Sequence, residues 1–236
     1  MCMQEVSNPF QALNNIFLKP NGVFNALAKT NNWSWLPFLL VTGLSFVSVY
    51  VYFNFIDFDW YVELMVAETM ADVSPAEQNA YRNAMSQTAA MIGGGVMAFL
   101  APIIVNAIFA VYLNAMTKRD ESNTQGFTDW YGFIWWTQMP AILNALIALV
   151  IILMSSNHEI LPTVLGPLSL AYLFSVDMGS TWFGFLSSVR LDIIWSTYLM
   201  TVGISCWTSF DTKKSLAIAI APMIIIYGLW AVFTLF

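Results

Sequence analysis

Charge is scarce in this chain of 236 residues: Lys, Arg, Asp and Glu together make up 9% of it, and there is a single histidine. Soluble domains carry about 25% charged residues, so the shortage excludes an ordinary solvated surface. Basic clusters are missing as well. No run of Lys or Arg exceeds two residues and the net charge is −6, which excludes nucleic acid as a partner, since phosphate backbones call for stripes of positive charge. Cys2 and Cys206 have neither metal-ligand spacing nor a disulfide framework and read as plain thiols. No HExxH or GxSxG pattern occurs, no pair of carboxylates stands at metal-ligand spacing inside an apolar run, and His158 lies in the polar stretch SSNHEI. Neither catalysis nor a cofactor is expected. The first 35 residues lack the charged start, apolar core and cleavage site of a secretory signal, so the N-terminus is expected to be retained.

What is abundant is hydrophobicity, at 58% of residues, with a mean hydropathy of +0.67. Five runs approach the roughly 20 apolar residues that a membrane-crossing helix needs: about 36–56, 92–115, 133–154, 190–209 and 215–235. The expected fold is all-α, a polytopic membrane protein built as a bundle of five transmembrane helices with short N-terminal amphipathic helices. Residues 1–35 form a cytoplasmic amphipathic segment and 36–236 the membrane domain. Lys19, Lys29, Lys118, Arg119, Lys213 and Lys214 fall on one side of this layout, and only Arg82 and Arg190 on the other. The positive-inside rule then puts the N-terminus in the cytoplasm and the C-terminus outside. A sixth span at Ile160–Val176 would reverse the last two helices and carries two prolines, so this stretch is read as interfacial or re-entrant. Trp33, Trp35, Trp130, Trp135, Trp136 and Trp207 fall at inner ends and Trp60, Trp195 and Trp230 at outer ends, the placement of an aromatic belt.

Between the spans, NPFQALNNIFLKPNGVFNALAKT at 8–30 reads as two short helices separated at Pro20, with Asn8 as N-cap. Their apolar stripes, Phe10, Leu13, Ile16 and Phe17, then Phe24 and Leu27, suit helices lying on the membrane surface or a docking face for a protein partner. The outer segment 57–90 holds six acids against Arg82 and a capping box, SPAE at Ser74–Glu77. It is expected to form a helical hairpin, continuous with the first span before it and with the second after it. Its acids read as a solvated face.

Within the spans, two ten-residue stretches match: PIIVNAIFAV at 102–111 and PAILNALIAL at 140–149. Pro102 and Pro140 each delete a helical hydrogen bond, and Asn106 and Asn144 stand one turn further on the same face. A buried amide needs partners. If the two antiparallel faces meet, Asn106 and Asn144 bond across the interface and fix the register; the other reading is a polar path for a solute. Arg190 and Asp192 stand at the head of the fourth span. As helix residues two apart they point to different faces, so neither is expected to satisfy the other; Asp177 is the candidate partner of Arg190, and snorkelling to the outer interface is the simpler reading.

Three stretches, taken in order, resemble the bacterial members of the Yip (Ypt-interacting protein) family: NPFQALNNIFLKPNGVFNALAKTNNWSWLPF at 8–38, LDIIWSTYLMTVGIS at Leu191–Ser205, and SFDTKKSLAIAIAP at 209–222. The resemblance implies a small five-helix protein of the bacterial inner membrane, without catalysis, acting as an interaction or membrane-organising component. Eukaryotic relatives contact Rab-type GTPases, but the DLYGP motif and long N-terminal region of those relatives are missing here, so GTPase binding is not carried over. The partners expected are the lipid bilayer and a protein at the N-terminal helices, with a homo-oligomer compatible. The competing function is a small channel or carrier with a polar midplane site at Asn106 and Asn144.

Overall fold

The computed structural model describes residues 6–235, and every long element in it is helical. Cys2 lies outside the described residues. Four apolar stretches are long enough to cross a membrane: α3 (Trp35–Phe55), α6 (Gln87–Thr117), the α7–α8 pair (Phe127–Thr137 and Ala141–Met154) and α12 (Thr212–Leu235). The fifth expected span is α11 (Leu191–Trp207), at 17 residues the shortest of the set and the one most enclosed. Asp192, Ser196, Leu199, Met200, Gly203, Ile204 and Trp207 are buried along one helical face of α11, which packs against α2 (Pro20–Leu27), α7, α8 and α12. By contrast α6 and α12 turn rows of Ile, Val, Leu and Phe outward, as lipid-facing helices do.

Close approach is built with glycine at two places. On α6, a Cβ at Gly95 would meet the Phe46 ring at 2.7 Å, so the missing side chain lets α3 and α6 press together. On α11, a Cβ at Gly203 would overlap the Phe133 ring. That ring belongs to an aromatic cluster of Phe24, Trp130, Phe133 and Trp207, with centroid separations of 4.9 to 5.1 Å. Trp130, Trp135 and Trp136 are buried, which corrects their placement in an aromatic belt: belt residues face the lipid headgroups, whereas these three are core.

The N-terminal helices also depart from the surface-lying arrangement. In α2, Val23 and Phe24 have no exposed surface, and the Phe24 carbonyl accepts a hydrogen bond from Trp207 Nε1 at 2.8 Å. Phe17, which follows α1 (Pro9–Asn15), packs edge-to-face on Trp195 at 5.3 Å. Trp195 stands 12 residues before Trp207, about 18 Å along α11 at 1.5 Å per residue. The hairpin therefore runs along α11 and forms part of the core, leaving Phe10 and Leu18 as its exposed apolar residues.

At the acidic end of the bundle, α4 (Phe58–Thr69) and α5 (Pro75–Ala84) form the expected hairpin. The Ser74–Glu77 capping box is present, and Arg82 bonds both carboxylate oxygens of Glu63 at 2.7 and 3.0 Å. Those hydrogen bonds hold the Glu63 carboxyl below its usual range. Two expected continuities are absent. Asp57 caps α4 after the chain leaves the helix at Ile56, and Ser86 caps α6 afresh, because a side-chain acceptor at each point satisfies the new helix's free N–H groups.

Candidate functional site

The matched motifs reach different structures. Pro102 sits inside α6, which continues through it to Thr117. Pro140 instead separates α7 from α8 inside the third span, which as a whole (Phe127–Met154) is long and apolar enough to cross a membrane. Around it the backbone closes tighter i→i+3 bonds, Ala141 N–H to Gln138 O at 2.9 Å and Leu143 N–H to Pro140 O at 3.0 Å. The turn lets the chain change partners: α7 packs on α6 and α11, whereas α8 packs on α3.

Asn144 falls in the first turn of α8, and its amide is used at both atoms. Nδ2 donates to the Leu165 carbonyl at 3.0 Å, and Oδ1 accepts from Leu168 N–H at 3.2 Å. Asn106 is buried too, yet its Nδ2 has no partner. The expected amide–amide contact is therefore not formed. Each Asn faces its own surroundings.

The segment that Asn144 holds is the stretch after α8. It is pinned first by α3, where the Tyr52 hydroxyl donates to Ile160 O at 2.9 Å and His158 Nδ1 donates to Phe55 O at 2.6 Å. A 3₁₀ turn at Pro162–Leu165 and a short α9 (Leu170–Leu173) follow, with Val164, Ser169 and Ala171 buried. Asn144 stands ten residues before Met154, so the segment doubles back about 15 Å along α8. The segment thus re-enters the helix bundle alongside α8. Backbone outside a helix at such depth must be satisfied by protein groups. The Asn144 amide supplies two of them.

The same segment pairs with the chain entering α11. After α10 (Phe183–Ser188), Val189 and Arg190 run extended, and Arg190 forms an isolated antiparallel bridge with Ser169. Leu170 N–H donates to Val189 O at 2.9 Å and Leu191 N–H to Leu168 O at 3.0 Å. Tyr227 of α12 closes the far side by donating to Ser188 O at 2.9 Å.

This extended backbone overturns the expectation for Arg190 and Asp192. Arg190 is the N-cap of α11, with φ −123° and ψ 147°, so its side chain folds over the first turn. Nε and Nη2 then each bond one oxygen of Asp192, at 2.9 and 2.5 Å. The Asp192 side chain is 2% exposed and that of Arg190 32%. Asp177 is not the partner; its Oδ1 accepts from Gly179 N–H at 2.7 Å.

Tyr52, Ser169 and Tyr227 are participants that the sequence reading passed over. Their signal was a hydroxyl-bearing side chain in an otherwise apolar or turn-rich run. The assembled centre ties irregular backbone to α3, α8, α11 and α12. Among the described residues no group of three metal-ligating side chains converges. An open cleft of about 600 Å³ at the acidic end is lined by Glu68, Glu159 and Asp177 but belongs to that solvated face.

A family model described as the Yip1 domain matches residues 14–233. No curated protein and no solved structure matches the chain.

Proposed function

The chain belongs to the Yip1 domain family and is a multi-pass membrane protein, and from that premise we propose that it is a non-enzymatic interaction or membrane-organising component. The reading places it in a bacterial inner membrane with the N-terminus and the lysine-bearing loops in the cytoplasm and the C-terminus outside. The observation that carries it is the use made of the buried polar groups. Both amide atoms of Asn144 and both oxygens of Asp192 are occupied by partners that hold the fold. Groups committed in this way to partners inside the fold are not free to bind a solute, so they support a body that presents surfaces.

The surface offered to a partner is the α1–α2 hairpin, whose Phe10 is 68% exposed and Leu18 81% exposed. Phe17 is excluded from that surface by its contact with Trp195. A photo-crosslinking residue at position 10 is expected to give an adduct of discrete mass in membranes, absent when the same residue replaces the buried Phe24. Adducts of equal yield at both positions, or at neither, count against the reading.

The channel or carrier reading keeps one specific observation, the unpartnered Nδ2 of Asn106. Reconstituted protein that carries a small solute across liposomes, with flux lost in Asn106→Leu at unchanged folding, would replace the first reading with this one.

A further inference from the structure

At the lysine-bearing end the bundle is not closed. A cavity of about 520 Å³ opens between the Thr30–Ser34 connection, the first turn of α3, and α7. Its volume lies in the range of small-molecule sites. The inner wall is apolar, made by Phe38, Ile103, Phe133 and Trp135, with Phe38 edge-on to Trp135 at 4.9 Å. Its mouth is polar, with Asn31, Ser34, Thr128 and Asp129. Gly132 keeps the two walls together, since a Cβ there would meet Ser34 Oγ at 2.6 Å.

The charge of the lining narrows the occupant. Among the described residues, Asp129 is its one carboxylate, and no Lys, Arg or His lines the cavity. Asp129 Oδ2 accepts the Gly126 N–H at 2.8 Å, which leaves Oδ1 free of hydrogen bonds. Trp35 and Tyr131 add aromatic rings to the same lining, and ring faces attract cations. A head of net negative charge finds no positive partner here. A group with an ammonium head finds a carboxylate, aromatic rings and, for the polar linkage behind the head, the Thr128 and Ser34 hydroxyls. The order of polarity, from charged mouth to apolar wall, is that of a membrane lipid entering head outward. Trp35, 64% exposed at the rim, marks the level at which lipid headgroups meet water.

We propose that this cavity binds one phospholipid with a primary ammonium headgroup, phosphatidylethanolamine in the leaflet at the lysine-bearing end. The site is independent of any partner at the α1–α2 hairpin. It is made mainly by the Thr30–Ser34 connection, α3 and α7, and shares Leu27 but neither Phe10 nor Leu18 with the hairpin.

The test is native mass spectrometry of the full chain released from micelles holding equal amounts of phosphatidylethanolamine and phosphatidylglycerol of identical acyl chains. The ethanolamine adduct is expected to exceed the glycerol adduct about fivefold, the ratio that one partly exposed charge contact supports. Asp129→Asn keeps an acceptor for the Gly126 N–H and is expected to bring the ratio to about one. Thr128→Trp, at an exposed mouth position, is expected to remove the adduct while the thermal melt is retained. Equal adducts in the unaltered chain would identify generic boundary lipid and overturn the proposal, as would an adduct that survives Thr128→Trp.

Discussion

Asn106 and Asn144 occupy equivalent places in two ten-residue stretches that agree at five positions, yet Asn144 is joined to backbone at both amide atoms and Asn106 is bonded to none of the described residues at its nitrogen. The local sequence cannot explain this, because the Pro, Ile, Asn and Ala positions agree. The neighbours explain it. α6 lies along α3 through Gly94 and Gly95 and has a continuous partner surface, so the helix passes Pro102 without changing course. The chain at Pro140 moves from packing on α6 to packing on α3, and the turn there aims Asn144 at the re-entrant segment. A buried amide is thus a tie or a leftover according to what the fold brings to it.

The largest effect is expected where that tie is anchored. Asp192 is enclosed and bonds the guanidinium of Arg190 twice. Replacing it with Asn leaves a half-buried cation without its counter-charge. Breaking a buried ion pair in this way costs 3–5 kcal/mol, and the partial exposure of Arg190 places Asp192→Asn near the lower bound, about 3 kcal/mol. Unfolding by titration with a denaturing detergent measures the loss. A variant as stable as the parent would mean that the pair does not hold the start of α11.

Asn144→Leu strands the Leu165 carbonyl and the Leu168 N–H in apolar surroundings and is expected to cost about 2 kcal/mol, within the range for unsatisfied buried groups. That exceeds the average of about 0.6 kcal/mol for polar contacts between membrane helices, because irregular backbone has no helix to fall back on. Asn106→Leu removes a donor that has no partner, so it is expected to change stability by less than about 0.5 kcal/mol, or to raise it. The same detergent titration reads both. Equal losses in the two variants would erase the distinction between tie and leftover.

Much of this architecture was legible because run length is a signal that tertiary contacts hardly disturb. The bounds of α3, α6 and α12 lie within a few residues of the apolar runs. The capping signals at Asn8 and Ser74 were also local, and both caps form. What stayed hidden depends on partners distant in sequence. Trp135 and Trp136 carry the composition of a membrane interface, but packing of α7 by α6, α11 and α3 makes them core. Arg190 and Asp192 are incompatible as helix neighbours, and only the strand-like bridge to Ser169 gives Arg190 the extended backbone that brings them together. Asn144 showed that an amide was needed, without showing that a returning segment would take it.

The lysine-bearing end offers a milder counterpart to the Asn144 tie, and a test that separates the two by pH. Asp120, in the connection after α6, accepts Ser209 N–H at 2.6 Å and the Ser209 hydroxyl at 2.8 Å, and also bonds Ser122. Here too one polar side chain holds the backbone of a distant loop. Burial raises the carboxyl's pKa, but the bonds from Ser209 and Ser122 outweigh it and lower the value from 3.8 to about 2. A carboxyl whose folded pKa is depressed contributes stability that is complete above its unfolded value. That contribution fades as the pH falls from 3.8 through about 2. Spin labels at Arg119 and Asp211, in a chain with Cys2 and Cys206 changed to Ser, report the distance between the loops. The distribution is expected to be narrow at neutral pH and to broaden only as the pH falls through that window. Asp120→Asn puts an amide donor against one of the two backbone N–H groups that the carboxylate accepts, Ser209 or Ser122, and is expected to broaden it already at neutral pH. The Asn144 tie has no titrating group, so labels bridging α8 and the re-entrant segment should hold their distance through the same window; if both pairs loosen together, the two ties are not separate.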